Sequence, residues 1–292
     1  MATQALHVVA RSATTMTPPA DAANAVHVAK LIDISKCIGC KACQVACMEW
    51  NETRPEIGTS DGVYDNPRDL GSGAWTVMRF NELENEQGGI DWLIRKDGCM
   101  HCEEPGCMKA CPSPGAIIKL SNGIVDFNSD NCIGCGYCVQ GCPFNVPRIS
   151  TTTNKATKCT LCSDRVSKGQ DPACVSTCPT KALTFGPKED QIKAAGERIK
   201  DLNQRGYQKA ALYNPQGVGG THVMYVLPHG DKPEQYNGLP ANPSISPTVG
   251  VWKGVMKPIA LIAMAAAVLT GVVHYAVKGP KVVEEDHDDI KA

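Results

Sequence analysis

Sixteen cysteines fall between Cys37 and Cys178 in four groups of four, with none left over. Cys37, Cys40, Cys43 and Cys47 follow C-x-x-C-x-x-C-x-x-x-C, and Cys132, Cys135, Cys138 and Cys142 repeat that spacing with Pro143 next. Three thiolates at every third residue can wrap one face of a cubane iron-sulfur cluster because the loop folds around it. The fourth lies a helical turn further on and serves a neighbouring cluster. Gly39 and Gly134, in the matching strings CIGCKAC and CIGCGYC, let the backbone pass close to an inorganic core. Cys99, Cys102, Cys107 and Cys111 add two residues before the third cysteine and end in Pro112. Cys159, Cys162, Cys174 and Cys178 stretch that gap to eleven residues and end in Pro179. Extra residues can loop out without moving the ligands, so both read as the same motif lengthened.

Zinc is the simplest competitor, because Cys159 to Cys178 alone has zinc-ribbon spacing. A tetrahedral zinc site has no use for a third cysteine three residues after a C-x-x-C, and two full runs of that kind exclude it as the general explanation. Disulfides give an even count too, but do not require cysteines at every third residue. Four ligands per cubane divide sixteen cysteines into four, so the expected cofactors are four 4Fe-4S clusters. In a two-cluster unit each motif lends one ligand to its neighbour's cluster, so the motifs must pair, and spacing alone does not settle how. The twenty residues between Cys111 and Cys132 fit a hairpin joining the second and third motifs, leaving the first and fourth to each other. That nested choice gives clusters held by Cys37, Cys40, Cys43 and Cys178; by Cys47, Cys159, Cys162 and Cys174; by Cys99, Cys102, Cys107 and Cys142; and by Cys111, Cys132, Cys135 and Cys138.

The elements that must position these thiols are short. Strand-like runs lie at Trp75 to Phe80, Trp92 to Lys96, Ala116 to Leu120, Ile124 to Phe127 and Ala182 to Phe185, with short helices after each cysteine group. The expected fold is α+β: duplicated ferredoxin-like 2x(4Fe-4S) domains followed by one C-terminal transmembrane helix. Residues 30–98 and 144–188 form the first ferredoxin-like unit and residues 99–143 the second. Residues 1–29 lack periodicity and suggest an extended arm for partner contact rather than a packed element. Residues 189–250 make a partner-contact and linker region. In it, Asp190 to Gly206 has helical spacing, Gly217, Gly219 and Gly220 precede a strand and suggest a hairpin or bulge, and the proline-rich Pro228 to Pro247 fits a linker.

Pro258 to Val277 is twenty residues without a charged side chain, inside a segment 251–279 expected to cross a membrane. Trp252, Lys253 and Lys257 at one end and Tyr275, Lys278 and Lys281 at the other suit the two interfaces. Residues 280–292 read as a solvated acidic tail. A net charge of −1 argues against a nucleic-acid partner. Aromatic residues make up only 5%, so metal clusters must organise much of the interior. The start shows no secretory signal and no twin arginine, so if the chain reaches an exported compartment a partner must take it there.

Other candidate residues have simpler readings. His101 lies inside the Cys99 to Cys102 pair, but with four cysteines present it is not needed as a ligand. His274 lies near the end of the apolar span, where a hydrogen bond to a partner or lipid headgroup competes with haem ligation. Lys41, Lys109, Arg148 and Lys158 lie near ligands and could raise cluster potentials through their charge, although an ordinary solvated side chain explains each one singly.

The four groups in this order resemble the four-cluster iron-sulfur subunits of molybdopterin oxidoreductases. LIDISKCIGCKACQVACMEWN, KDGCMHCEEPGC, NPQGVGGTHVMYVLPH and the WKG…KP entry to the terminal helix together look like the beta subunit of membrane-bound respiratory formate dehydrogenase. That resemblance covers nearly the whole chain. It implies the nested ligand pairing, a catalytic molybdopterin alpha subunit with molybdenum or tungsten, and a membrane cytochrome b gamma subunit that reduces quinone. It also implies a place in the cell inner membrane, with the cluster domain periplasmic and the tail cytoplasmic. The chain itself is expected to be a non-catalytic electron-transfer subunit, with no catalytic residues and no small-molecule substrate of its own. The equivalent subunit of a membrane-bound hydrogenase, or of another molybdopterin oxidoreductase, is the alternative.

Overall fold

The computed structural model describes residues 6–54, 59, 62–84 and 88–279, which divide into two units, Met1–Ser246 and Pro247–Ala292. In chain order the first unit has β1 (Val8–Arg11), β2 (Val28–Asp33), α1 (Ala42–Trp50), β3 (Val77–Glu84), β4 (Ile90–Asp97), α2 (Gly106–Ala110), β5 (Ile117–Leu120) and β6 (Val125–Phe127). There follow α3 (Tyr137–Gln140), β7 (Arg148–Ile149), β8 (Ala156–Thr157), α4 (Ser163–Val166), α5 (Ala173–Ser176), β9 (Leu183–Pro187), α6 (Lys188–Gln204), β10 (Ala211–Tyr213) and β11 (Val223–Leu227). The second unit has α7 (Pro247–Val251) and α8 (Lys257–Lys278), joined through a π turn at Trp252–Met256.

Two arrangements position the cysteines. β2 and β9, which precede the first cysteine group and follow the last, pair antiparallel, and α1 packs on α5. Between them in sequence, β5 and β6 form an antiparallel hairpin, and α2 packs on α3. The second and third motifs therefore share one framework and the first and fourth another, a nested form of a duplicated ferredoxin-like fold.

The mixed sheet β10-β11-β2-β9 has two buried faces, and its central strand β2 is buried at every position. Alternation sends Ala29 and Leu31 to the face covered by α6, where they meet Ala195, Leu202, Met224 and Val226. Val28 and Ile32 point the other way, into the main core beside Cys43, Cys174 and Cys178. Lys30 lies between those two, on the same face by the same alternation.

Two stretches differ from the sequence expectation. The N-terminal segment is extended but not a free arm: β1 pairs with β5 and widens the second framework to three strands, with the Ser12 hydroxyl bonded to Ser113 O at 2.6 Å. The stretch after Pro228 is not a loose linker. Tyr236 and Leu239 are fully buried, and Arg95 donates from Nε to Tyr236 O at 2.8 Å. Prolines mark the absence of regular structure, not of packing. The terminal helix starts earlier than the charge-free run, at Pro247. Lys281 and the acidic tail lie outside the described residues.

Candidate metal centres

Each cysteine group is a loop running into a short helix. α1 carries Cys43 and Cys47 four residues apart on one buried face, while Cys37 and Cys40 precede it in the loop. Gly39 (φ +67°) and Gly134 (φ +71°) hold the same place in their loops; a Cβ there would lie 2.6 Å from the Phe80 ring and 2.3 Å from Asn154 O respectively. Both positions therefore need glycine for conformation and for space.

The thiols gather across motifs. Cys47 joins Cys159, Cys162 and Cys174 around one small cavity. Cys142 joins Cys99, Cys102 and Cys107 around a second, and Cys111 joins Cys132, Cys135 and Cys138 around a third. The remaining four also lie together: the Cys37 thiol feels Cys178 and Cys40, and Cys43 feels Cys37.

All sixteen cysteines are free thiols. Burial pushes most of them up: Cys43, Cys138 and Cys162 to about 12, Cys47 and Cys142 to about 11. Cys174 and Cys178 are the exceptions. Burial would raise both, but Lys30 and Lys96 outweigh it at Cys174, hydrogen bonds from the Leu183 backbone and the Thr180 hydroxyl outweigh it at Cys178, and both lie below the ordinary thiol value. Four soft donors around each small, mostly dry cavity fit an iron-sulfur cubane, whose binding displaces the thiol protons.

Of the charged candidates, three have other partners. Lys41 reaches Tyr64 O, Lys109 pairs with Glu104 at 2.6 Å, and Arg148 pairs with Asp69 at 2.8 Å. Lys158 is different: it is buried, lies on the wall of the Cys99 cavity, and donates to the carbonyls of Val125 and Cys159. His101 is buried on the same wall, its Nδ1 accepting from Val125 N–H at 3.1 Å. Lys30 and Lys96, which sequence reasoning passed over, lie on the wall of the Cys47 cavity. The one available signal was a lysine at an inward position of an apolar strand. The glycine segment closes the β10–β11 hairpin, and its backbone accepts from the N–H groups of Glu103 and Glu104 at 2.9 and 2.8 Å, just after Cys102. His274 is exposed on α8, one turn before Lys278.

Residues 36–116 and 90–188 each match the model of a 4Fe-4S dicluster domain, and residues 245–288 match the model described as formate dehydrogenase N, transmembrane. The chain is 60% identical to the formate dehydrogenase iron-sulfur subunit of Haemophilus influenzae, over 98% of this chain and 92% of that protein. It is 57% identical to the iron-sulfur subunit of the nitrate-inducible formate dehydrogenase of Escherichia coli, over 99% of both. The beta subunit of formate dehydrogenase 2 of Nitratidesulfovibrio vulgaris is 36% identical over 68% of this chain and 91% of that protein.

Proposed function

Because the chain belongs to the formate dehydrogenase iron-sulfur subunits, non-catalytic electron-transfer proteins that carry 4Fe-4S clusters, we propose that it holds four clusters and connects a formate-oxidising subunit to a membrane quinone reductase. Cys37, Cys40, Cys43 and Cys178 hold the first cluster, and Cys47, Cys159, Cys162 and Cys174 the second. Cys99, Cys102, Cys107 and Cys142 hold the third, and Cys111, Cys132, Cys135 and Cys138 the fourth. When bound, these groups supply one-electron storage and transfer without bond chemistry in substrate. The electron donor is a molybdopterin alpha subunit with molybdenum or tungsten, and the acceptor a cytochrome b gamma subunit. The cluster domain is periplasmic, and the segment after the apolar helix is cytoplasmic.

The observation that carries this reading is the sorting of thiols from different motifs into sets of four around shared cavities. Burial of the thiols excludes water and competing reactions from the metal. Cys37, Cys99 and Cys142 are half-buried, and the two exposed cysteines are Cys40 of the first set and Cys135 of the fourth, each in a C-I-G-C loop beside an exposed isoleucine, Ile38 or Ile133. These two loops are the contact points for the electron donor and acceptor.

Anaerobically purified protein is expected to contain about sixteen iron and sixteen acid-labile sulfide per chain. Zinc in place of iron would end the proposal. Formate-dependent dye reduction should require the co-purifying large subunit, whose metal separates a formate dehydrogenase from a hydrogenase.

A further inference from the structure

Three thiol-lined cavities differ in what else forms their walls. That of Cys111, Cys132, Cys135 and Cys138 has no charged side chain on its wall, and the lysine nearest by hydrogen bonding, Lys155 on the Cys132 carbonyl, is only half-buried. That of Cys47, Cys159, Cys162 and Cys174 has Lys30 and Lys96, which are 1% and 3% exposed. That of Cys99, Cys102, Cys107 and Cys142 has Lys158 and His101, which are 3% and 0% exposed.

A buried ammonium needs a compensating negative charge. The hydrogen bonds of these lysines lead to neutral oxygens or to sulfur: Lys96 Nζ donates to Thr76 Oγ1 at 2.9 Å, Lys158 Nζ to the carbonyls of Val125 and Cys159, and Lys30 Nζ lies 4.0 Å from Cys174 Sγ. Thiolate sulfur is the main negative charge that their positions face, with Asp126 adding to it at Lys158. Val125 organises the second wall from both sides of one residue, its carbonyl receiving Lys158 and its N–H donating to His101 Nδ1. That bond puts the imidazole proton on Nε2, and Nε2 has no hydrogen-bond partner among the described residues. A buried N–H without a partner is costly, and the group the cavity accommodates supplies sulfur acceptors.

We propose that Lys30 and Lys96, and Lys158 with the Nε2–H of His101, raise the reduction potentials of the clusters held by Cys47, Cys159, Cys162 and Cys174 and by Cys99, Cys102, Cys107 and Cys142 above that of the cluster held by Cys111, Cys132, Cys135 and Cys138. The inference rests on the ligand sets proposed above. One-electron reduction adds one negative charge and no proton, so a fixed cation in a dry wall favours the reduced form. Lys158 serves both raised sites: it lines the cavity of Cys99, and its amine donates to the carbonyl of Cys159, a ligand of the other. The raised pair therefore lies where the two ferredoxin-like frameworks meet.

The test is a redox titration of the complete membrane complex, purified anaerobically, with dithionite as reductant and electron paramagnetic resonance as readout. The signal lost in Cys135→Ser identifies the fourth cluster, and in the parent its midpoint should lie below those of the other two. Lys96→Met should lower one remaining signal by about 59 mV or more, a tenfold change in the one-electron equilibrium constant. Lys158→Met and His101→Phe should both lower a second, and Lys→Arg should restore each lysine effect. Should a Met variant lose iron, Lys→Gln, which keeps a donor without the charge, is titrated instead. Full iron content with every midpoint unmoved overturns the inference and leaves the ligand sets standing. A parent complex without about sixteen iron per chain removes both.

Discussion

Cys142 follows its own motif's three cysteines by four residues, yet it faces Cys99, Cys102 and Cys107. Replacing it should therefore remove the same group as replacing Cys99. In Cys142→Ala/Cys99→Ala, iron should fall by about four of about sixteen, no more than in either single variant. In Cys142→Ala/Cys132→Ala it should fall by about eight, and iron quantification after anaerobic purification checks both numbers. Equal losses in the two doubles would dissolve the nested pairing. The thiols that gather in sets were legible because coordination imposes a spacing, and spacing survives in sequence whatever surrounds it. The buried cations were not. Lys158 stood next to a ligand and attracted notice, but Lys30 and Lys96 belong to strands, and only the strand's facing partner reveals whether an inward lysine meets a carboxylate, water or a thiolate.

At the level of elements, the strand runs were readable because alternation and the intervening turns left few options. β3 to β6 and β9 fall where the sequence placed them, with ends shifted by a few residues. The segment after β11 was misread for a physical reason: it uses isolated anchors instead of a period. Tyr236 is fully buried and its hydroxyl accepts from His229 N–H at 3.0 Å, while Asn81 donates from Nδ2 to Gln235 O at 2.6 Å. Together with the Arg95 bond to Tyr236 O, these contacts tie the strap to the β3–β4 hairpin. Arg95 carries its charge there because Asp97 outweighs the cost of its burial. Tyr236→Ala should destabilise the first unit by about 3–5 kcal/mol, the cost of a vacated aromatic site. The strap should then be cut by protease between residues 228 and 246 well before the cysteine loops are. Proteolysis no faster than in the parent would mean that Tyr236 is not the anchor.

At the scale of the molecule, the two units bury apolar surface by different means. The described core clusters all lie within the first unit, whereas Ile262, Val268, Leu269 and Val273 on α8 are more than half exposed. A helix apolar all round cannot be satisfied by water. At 1.5 Å per residue the 22 residues of α8 span about 33 Å, matching a hydrocarbon core of about 30 Å. The one hydroxyl of its central stretch, that of Thr270, is bonded back to Ala266 O at 2.7 Å, so no polar side chain there is left for lipid to accommodate. A lipid bilayer is therefore the surrounding this unit suits, and each described core cluster is built from residues of the first unit alone. A chain ending at Ser246 should then keep the iron and sulfide content of the full chain while moving from the membrane pellet to the aqueous fraction when expressed without its partners. Loss of iron on that truncation would show that the cluster frameworks depend on the anchor, and retention in the pellet would show a second membrane-binding surface on the first unit.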